Sequence, residues 1–158
     1  MTAFTKIEFV DLGLSVRWAS CNIGASSPED CGTYVSQLEY DNLNAESASQ
    51  CKVPSREEWQ ELMRECTWRF TIQNGVKGEL VVGPNGNSIF LPASGFRVNG
   101  DLIDHNFYGY YWTSTPYEEE GATPTYTKAC FLDMCSYQFY CNWSLRRNGM
   151  TVRPVRNL

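Results

Sequence analysis

Residues 53–68, VPSREEWQELMRECTW, are where the hydrophobic period of the chain changes, and the fold class turns on them. Ser55 and Glu58 have the S-x-x-E spacing of a capping box, in which the serine side chain accepts from the third helical amide and the glutamate reaches back to the serine amide. Trp59, Leu62, Met63 and Cys66 then recur at i, i+3, i+4 and i+7, which gathers them on one stripe. Arg56, Glu57, Glu61, Arg64 and Glu65 mostly occupy the other faces. The spacing predicts a helix over 56–66 whose stripe faces the core, with Cys66 as a small buried hydrophobe.

Beyond the helix the period drops to two. Residues 68–72 alternate, Asn74-Gly75 is a strong hairpin dipeptide, residues 78–82 are extended, Pro84-Asn85-Gly86-Asn87 turns back and 88–92 is extended again. This reads as a β-meander. Its glycines match hairpin turns, and no G-x-x-x-x-G-K-[ST] phosphate loop is present.

Upstream of the helix, residues 7–12 and 16–21 read as two short strands or as one strand with a bend near Gly13, with Trp18 as a buried ring. Residues 22–30 form a turn-rich connector, 34–38 a helical turn or short strand, and the polar run 39–50 a mobile loop. Downstream, residues 94–106 carry turns and the lone His105, with no serine or cysteine near it in sequence to form a nucleophile pair. Residues 108–115 predict a strand with Trp112 inward. The run Glu118-Glu119-Glu120 is a solvated loop. Gly149-Met150-Thr151-Val152-Arg153-Pro154-Val155 reads as a strand stopped by its proline.

With 158 residues the chain fits one domain, large enough to bury roughly 70% of its unfolded surface. Charged residues at 20% and hydrophobic ones at 42% argue against disorder, and an aromatic share of 14% implies that some rings face outward. A net charge of −5, from 13 basic and 18 acidic residues, argues against a nucleic-acid partner, which needs a basic stripe. No stretch approaches the roughly 20 apolar residues of a membrane span, and residues 1–13 lack the apolar run of a signal peptide. Seven cysteines, at 21, 31, 51, 66, 130, 135 and 141, leave at least one thiol outside any internal disulfide. No C-x-x-C occurs, so neither a metal nor another cofactor is expected.

Residues 126–155, YTKACFLDMCSYQFYCNWSLRRNGMTVRPV, are written differently from the rest. Tyr137, Phe139, Tyr140 and Trp143, the cysteines 130, 135 and 141, and Arg146 and Arg147 crowd a span with no sustained period. A core strand alternates or runs in Val, Ile and Leu, and this mixture does neither. Tyr, Trp and Arg supply large contact areas at low entropic cost, and Ser and Asn add adaptable hydrogen bonds. The segment therefore reads as a binding surface on an orderly frame. The expected division is a scaffold over about 1–125, a variable ligand-binding segment over about 126–149 and a closing strand over 150–155.

Taken together, VDLGLSVRWASCNIGASSPED, VPSREEWQELMRECTW, NGVKGELVVGPNGNSIFLPASG, YYWTSTPY and MTVRPVR resemble the C-type-lectin-fold domains of gut bacteria and their phages, over nearly the whole chain. The resemblance implies an α+β class with a C-type lectin fold: twisted antiparallel sheets, one or two helices and long loops. Cys31 stands where the family has a tyrosine in its PED-Y-G motif, and the calcium-binding E-P-N and W-N-D triplets are absent. The last segment is similar to the variable proteins of diversity-generating retroelements, where A-A-Y codons are randomised to N-N-Y. Such codons yield Asp133, Cys135, Ser136, Tyr137, Phe139, Tyr140, Cys141, Asn142, Ser144, Arg147 and Asn148, whereas Met134, Gln138 and Trp143 would be fixed.

The expected ligand-binding residues are Asp133, Cys135, Tyr137, Phe139, Tyr140, Cys141, Asn142, Trp143, Ser144, Arg147 and Asn148. The expected function is non-enzymatic recognition of a protein or glycan ligand on another cell or particle, by a protein displayed on a phage particle or bacterial surface. The alternative is a constant lectin-like adhesin or glycan-binding module. A third reading, an enzyme related to the formylglycine-generating enzymes, would rest on Cys135 and Cys141, which have no histidine near them in sequence to activate a thiolate.

Overall fold

A computed structural model describes residues 7–36, 51–116, 126–133, 138–145 and 148–158, with side chains for 7–36, 51–114 and 148–158. The one helix among them, α1 (Arg56–Glu65), starts as the capping box requires. The Ser55 amide donates to Glu58 Oε1 at 2.8 Å and the Glu58 amide donates to Ser55 Oγ at 3.1 Å. The helix ends one residue earlier than its stripe predicts, because Cys66 is already extended and leads into the next strand. Trp59 and Leu62 are fully buried, and Met63 and Cys66 pack against the same core from partly buried positions. Each fully buried side chain of this size contributes about 1.5–3 kcal/mol.

Two short strands, β1 (Phe9–Val10) and β2 (Val16–Ala19), precede the helix. After it the meander is as the period predicts: β3 (Thr67–Gln73), β4 (Val76–Val82) and β5 (Ser88–Pro92) pair antiparallel in that order. Asn74 and Gly75 both have positive φ, 49° and 81°. That is the backbone a two-residue turn needs to match strand twist. The second turn is clipped to the N-terminal region, since Asn85 Nδ2 and Asn87 Nδ2 both donate to the Asp11 carbonyl, at 2.8 and 2.9 Å.

Residues 94–106, expected to hold only turns, contain a hairpin of β6 (Phe96–Val98) and β7 (Asp101–Ile103). Its turn is Asn99-Gly100, again with both φ values positive. A further sheet is made of β8 (Tyr110–Pro116), β9 (Tyr126–Asp133) and β10 (Gln138–Leu145). The first and last parts of the chain share a sheet, in which β2 pairs with β1 on one side and with β11 (Val155–Asn157) on the other. The described molecule is thus sheet-rich α+β with antiparallel strand pairing.

The closing strand over 150–155 is corrected. Pro154 does not stop a strand; the regular strand β11 begins after it, at Val155. Residues 151–155 are all buried, and they form a strap that bonds a different segment at almost every step. Met150 exchanges backbone bonds with Val35, the Trp112 amide donates to the Thr151 carbonyl, Ile23 donates to Val152, and Ala19 donates to Pro154. A proline has no amide to offer a ladder but keeps its carbonyl, so it fits such a strap.

Two adjoining apolar clusters meet along this strap. One gathers Leu12, Leu14, Val16, Trp18, Trp59, Leu62, Val81, Ile89, Leu91, Tyr111 and Val155. The other holds Val35, Val53, Trp112, Met150 and Val152. Trp18 is the buried ring expected, edge-on to Trp59 with centroids 4.7 Å apart. Arg153 is also fully buried; its Nε donates to Asn22 Oδ1 at 2.6 Å, Nη1 to the Ala19 carbonyl at 3.2 Å and Nη2 to the Phe90 carbonyl at 2.8 Å.

Candidate binding surface

β8 is the base on which the C-terminal segment is laid. Successive residues of a strand face opposite sides, yet Tyr111 and Trp112 are both buried, so β8 is covered on both faces at this point. Tyr111 donates its hydroxyl to the Pro92 carbonyl at 2.8 Å, and Trp112 donates Nε1–H to the Val35 carbonyl at 2.7 Å. The inward assignment of Trp112 therefore holds, and two hydrogen bonds orient the rings that flank the strand.

β9 pairs with β8 through Tyr110↔Asp133, Tyr111↔Leu132 and Trp112↔Phe131, then slips between Trp112 and Pro116 before Pro116↔Ala129. β10 pairs with β9 without interruption from Gln138↔Asp133 to Leu145↔Tyr126. Six of the expected contact residues, Phe139, Tyr140, Cys141, Asn142, Trp143 and Ser144, are consecutive positions of β10, and Asp133 closes β9 beside Gln138. The period of two divides the run, with Phe139, Cys141 and Trp143 at one set of positions and Tyr140, Asn142 and Ser144 at the other. In the order β10-β9-β8, β10 is the outermost strand among the described residues.

Cys135, Tyr137 and Arg147 lie outside the described residues, as do the polar run 39–50 and Glu118-Glu119-Glu120. Asn148 is half-buried and precedes Gly149, whose backbone bridges Arg97. A Cβ at Gly149 would come within 3.1 Å of Tyr34 Cβ, so the close approach of these segments favours a glycine.

Hydrogen-bonded and stacked side chains surround the start of β8. Tyr34 donates to the Ser94 carbonyl at 2.6 Å, and the Arg97 guanidinium lies 4.9 Å over the Tyr34 ring. Tyr110 donates to Asp104 Oδ2 at 3.0 Å and stacks edge-on against Phe96 at 4.8 Å. Phe107 is exposed.

His105 has a cysteine neighbour that sequence distance hid: Cys31 Sγ lies 3.9 Å from His105 Nε2. The surroundings of Cys31 favour its thiol over the thiolate. Burial pushes the Cys31 thiol up, a hydrogen bond with Tyr34 opposes that, and the Asp30 carboxylate raises it further. A thiol needs a depressed pKa to attack at neutral pH. The only sequence signal for the contact was the unusual cysteine in PEDCG, because residues 31 and 105 meet through tertiary packing.

Among the described residues no group of three or more His, Cys, Asp or Glu side chains is placed to hold a metal ion, and no helix is long and apolar enough to cross a membrane. No family model, curated protein or solved structure matches the chain.

Proposed function

We propose that this chain is a non-enzymatic ligand-binding protein with a C-type-lectin-like fold, of the kind diversified by retroelements, whose C-terminal strands recognise a macromolecule on another cell or particle. The observation that carries the reading is the contrast between two strands of one sheet. β8 is buried on both faces at Tyr111 and Trp112, whereas the mixed alphabet falls on β10, two strands away and at the end of the sheet order among the described residues. Tyr111 and Trp112 are held by hydrogen bonds to Pro92 and Val35, and positions that contribute little to a core tolerate substitution. The ligand contacts in this reading are Asp133, Cys135, Tyr137, Phe139, Tyr140, Cys141, Asn142, Trp143, Ser144, Arg147 and Asn148, with cysteines arising as products of random codons.

The test is to sequence the gene with its flanking DNA. A near-copy of the codons for residues 126–155 beside a reverse transcriptase, with mismatches confined to adenines of the copy, is the expected result. A gene without such a copy overturns diversification and leaves a constant adhesin, to be pursued on glycan arrays.

A further inference from the structure

β3 (TWRFTIQ) carries a second surface, independent of the proposed ligand site. Among the described residues it ends the order β3-β4-β5. A terminal strand presents a row of backbone donors and acceptors to any strand of matching length, and folded proteins blunt such edges with prolines, charges or short length. β3 runs for seven residues, has no proline and carries one charge, Arg69. Phe70 and Ile72, two positions apart and so on one face, are 42% and 63% exposed. The other outer strand of this sheet is engaged, since the Phe90 carbonyl of β5 accepts from the buried Arg153. The tip of the β3–β4 hairpin is held in place, because Gln73 Nε2 and Asn74 Nδ2 both donate to Glu29 Oε1, at 2.7 and 2.9 Å.

We propose that β3 is the pairing edge of a two-fold homodimer, in which β3 of one copy lies antiparallel to β3 of another and the two meanders join into one continuous sheet. The sequence of the strand fits its own reverse. A two-fold axis at Phe70 sets Phe70 against its copy, Trp68 against Ile72, Arg69 against Thr71 and Thr67 against Gln73. Aromatic–aromatic and aromatic–β-branched pairs are the favourable cross-strand combinations, and like charges directly opposed are the unfavourable one. In this register the only charge on the strand faces a threonine. The contact is isologous and closes on itself. Seven residues a side make it a small interface, so association is concentration-dependent.

The register sets opposite signs for two substitutions at one position. Thr71→Glu places a carboxylate opposite Arg69 twice per dimer, and Thr71→Lys places two like-charged pairs there. Sedimentation of the whole chain under reducing conditions, over roughly 1 µM to 1 mM, covers the range of weak association. The expected result is a reversible wild-type dimer, tightened about fivefold by Thr71→Glu, weakened about fivefold by Thr71→Lys, and abolished by Ile72→Lys. Hydrogen exchange of wild-type β3 amides should slow as concentration rises, a readout that needs no variant. A wild-type chain monomeric across the range, β3 amides indifferent to concentration, or both Thr71 variants shifting association in the same direction would overturn the proposal.

Discussion

Arg153 Nε lies 2.6 Å from Asn22 Oδ1, and both side chains are closed off from solvent. Burial works against the charged guanidinium, and the structure answers with three acceptors spread over its fork: Asn22, the Ala19 carbonyl on β2 and the Phe90 carbonyl on β5. One side chain thus ties the terminal sheet to the meander. Arg153→Met is expected to destabilise the chain by about 3–5 kcal/mol, since it leaves three buried acceptors without donors. Arg153→Lys should recover little, because an ammonium on a flexible stem does not reproduce the planar fork. Urea unfolding followed by tryptophan fluorescence measures both; a loss below about 1 kcal/mol for Met would mean the three bonds do not hold the sheets together.

Trp112 separates packing from hydrogen bonding. Its ring sits in the cluster with Val35, Val53, Met150 and Val152, and its Nε1–H reaches the Val35 carbonyl at 2.7 Å. Trp112→Ala should cost about 3–5 kcal/mol through the cavity it leaves. Trp112→Phe keeps most of the apolar volume but strands the Val35 carbonyl, and should cost about 1–3 kcal/mol. Equal losses in the two variants would show that what both remove, the Nε1–H bond and the volume beyond a phenyl ring, decides stability here, and that the phenyl-sized volume does not.

Acid should loosen the connector at residues 26–33. The bond from Gln73 is the main cause holding the Glu29 carboxyl below its ordinary 4.5, with Asn74 and Ser27 adding to it. The Gly32 amide, then the Ser26 amide and hydroxyl, hold Asp30 below its ordinary 3.8. A carboxyl depressed by folding stabilises the fold fully above its unfolded value, and the contribution is lost as pH falls through the folded value. The affected window therefore opens below about pH 4.5 and extends downward. Glu29→Gln together with Asp30→Asn should flatten melting temperature against pH in that window relative to wild type. Parallel curves for the two proteins would exclude these carboxylates as the source.

On β10 the expected effects are opposite to those in the frame. Tyr140→Ala should leave the melting transition nearly unchanged and weaken target binding by about 1–3 kcal/mol, as loss of a hot-spot aromatic does. Thermal melts and titration against the surface to which the wild-type chain adheres report the two quantities separately. Loss of folding in this variant would assign Tyr140 to the core.

The helix is legible in the sequence because its signals are local. Ser55 and Glu58 are three residues apart, and the stripe of Trp59, Leu62, Met63 and Cys66 is fixed by helical geometry whatever surrounds it. Asn74-Gly75 marks its hairpin for the same reason. Asn99-Gly100 is the same dipeptide between extended residues, again with both φ values positive, and is the local signal for β6–β7 in a segment that reads otherwise as turns.

What the sequence determined by itself was this set of short-range choices: where the helix caps, where the backbone turns with positive φ, and which tryptophans go inside. The tertiary structure alone decided that the 150–155 segment would be a strap bonded to Val35, Trp112, Ile23 and Ala19 in turn, that Arg153 would be enclosed among three acceptors, and that Cys31 would meet His105 across 74 residues. These depend on which distant carbonyls and side chains arrive at one place. Period and spacing describe only what a residue does with its neighbours in the chain, so they carry no record of such meetings.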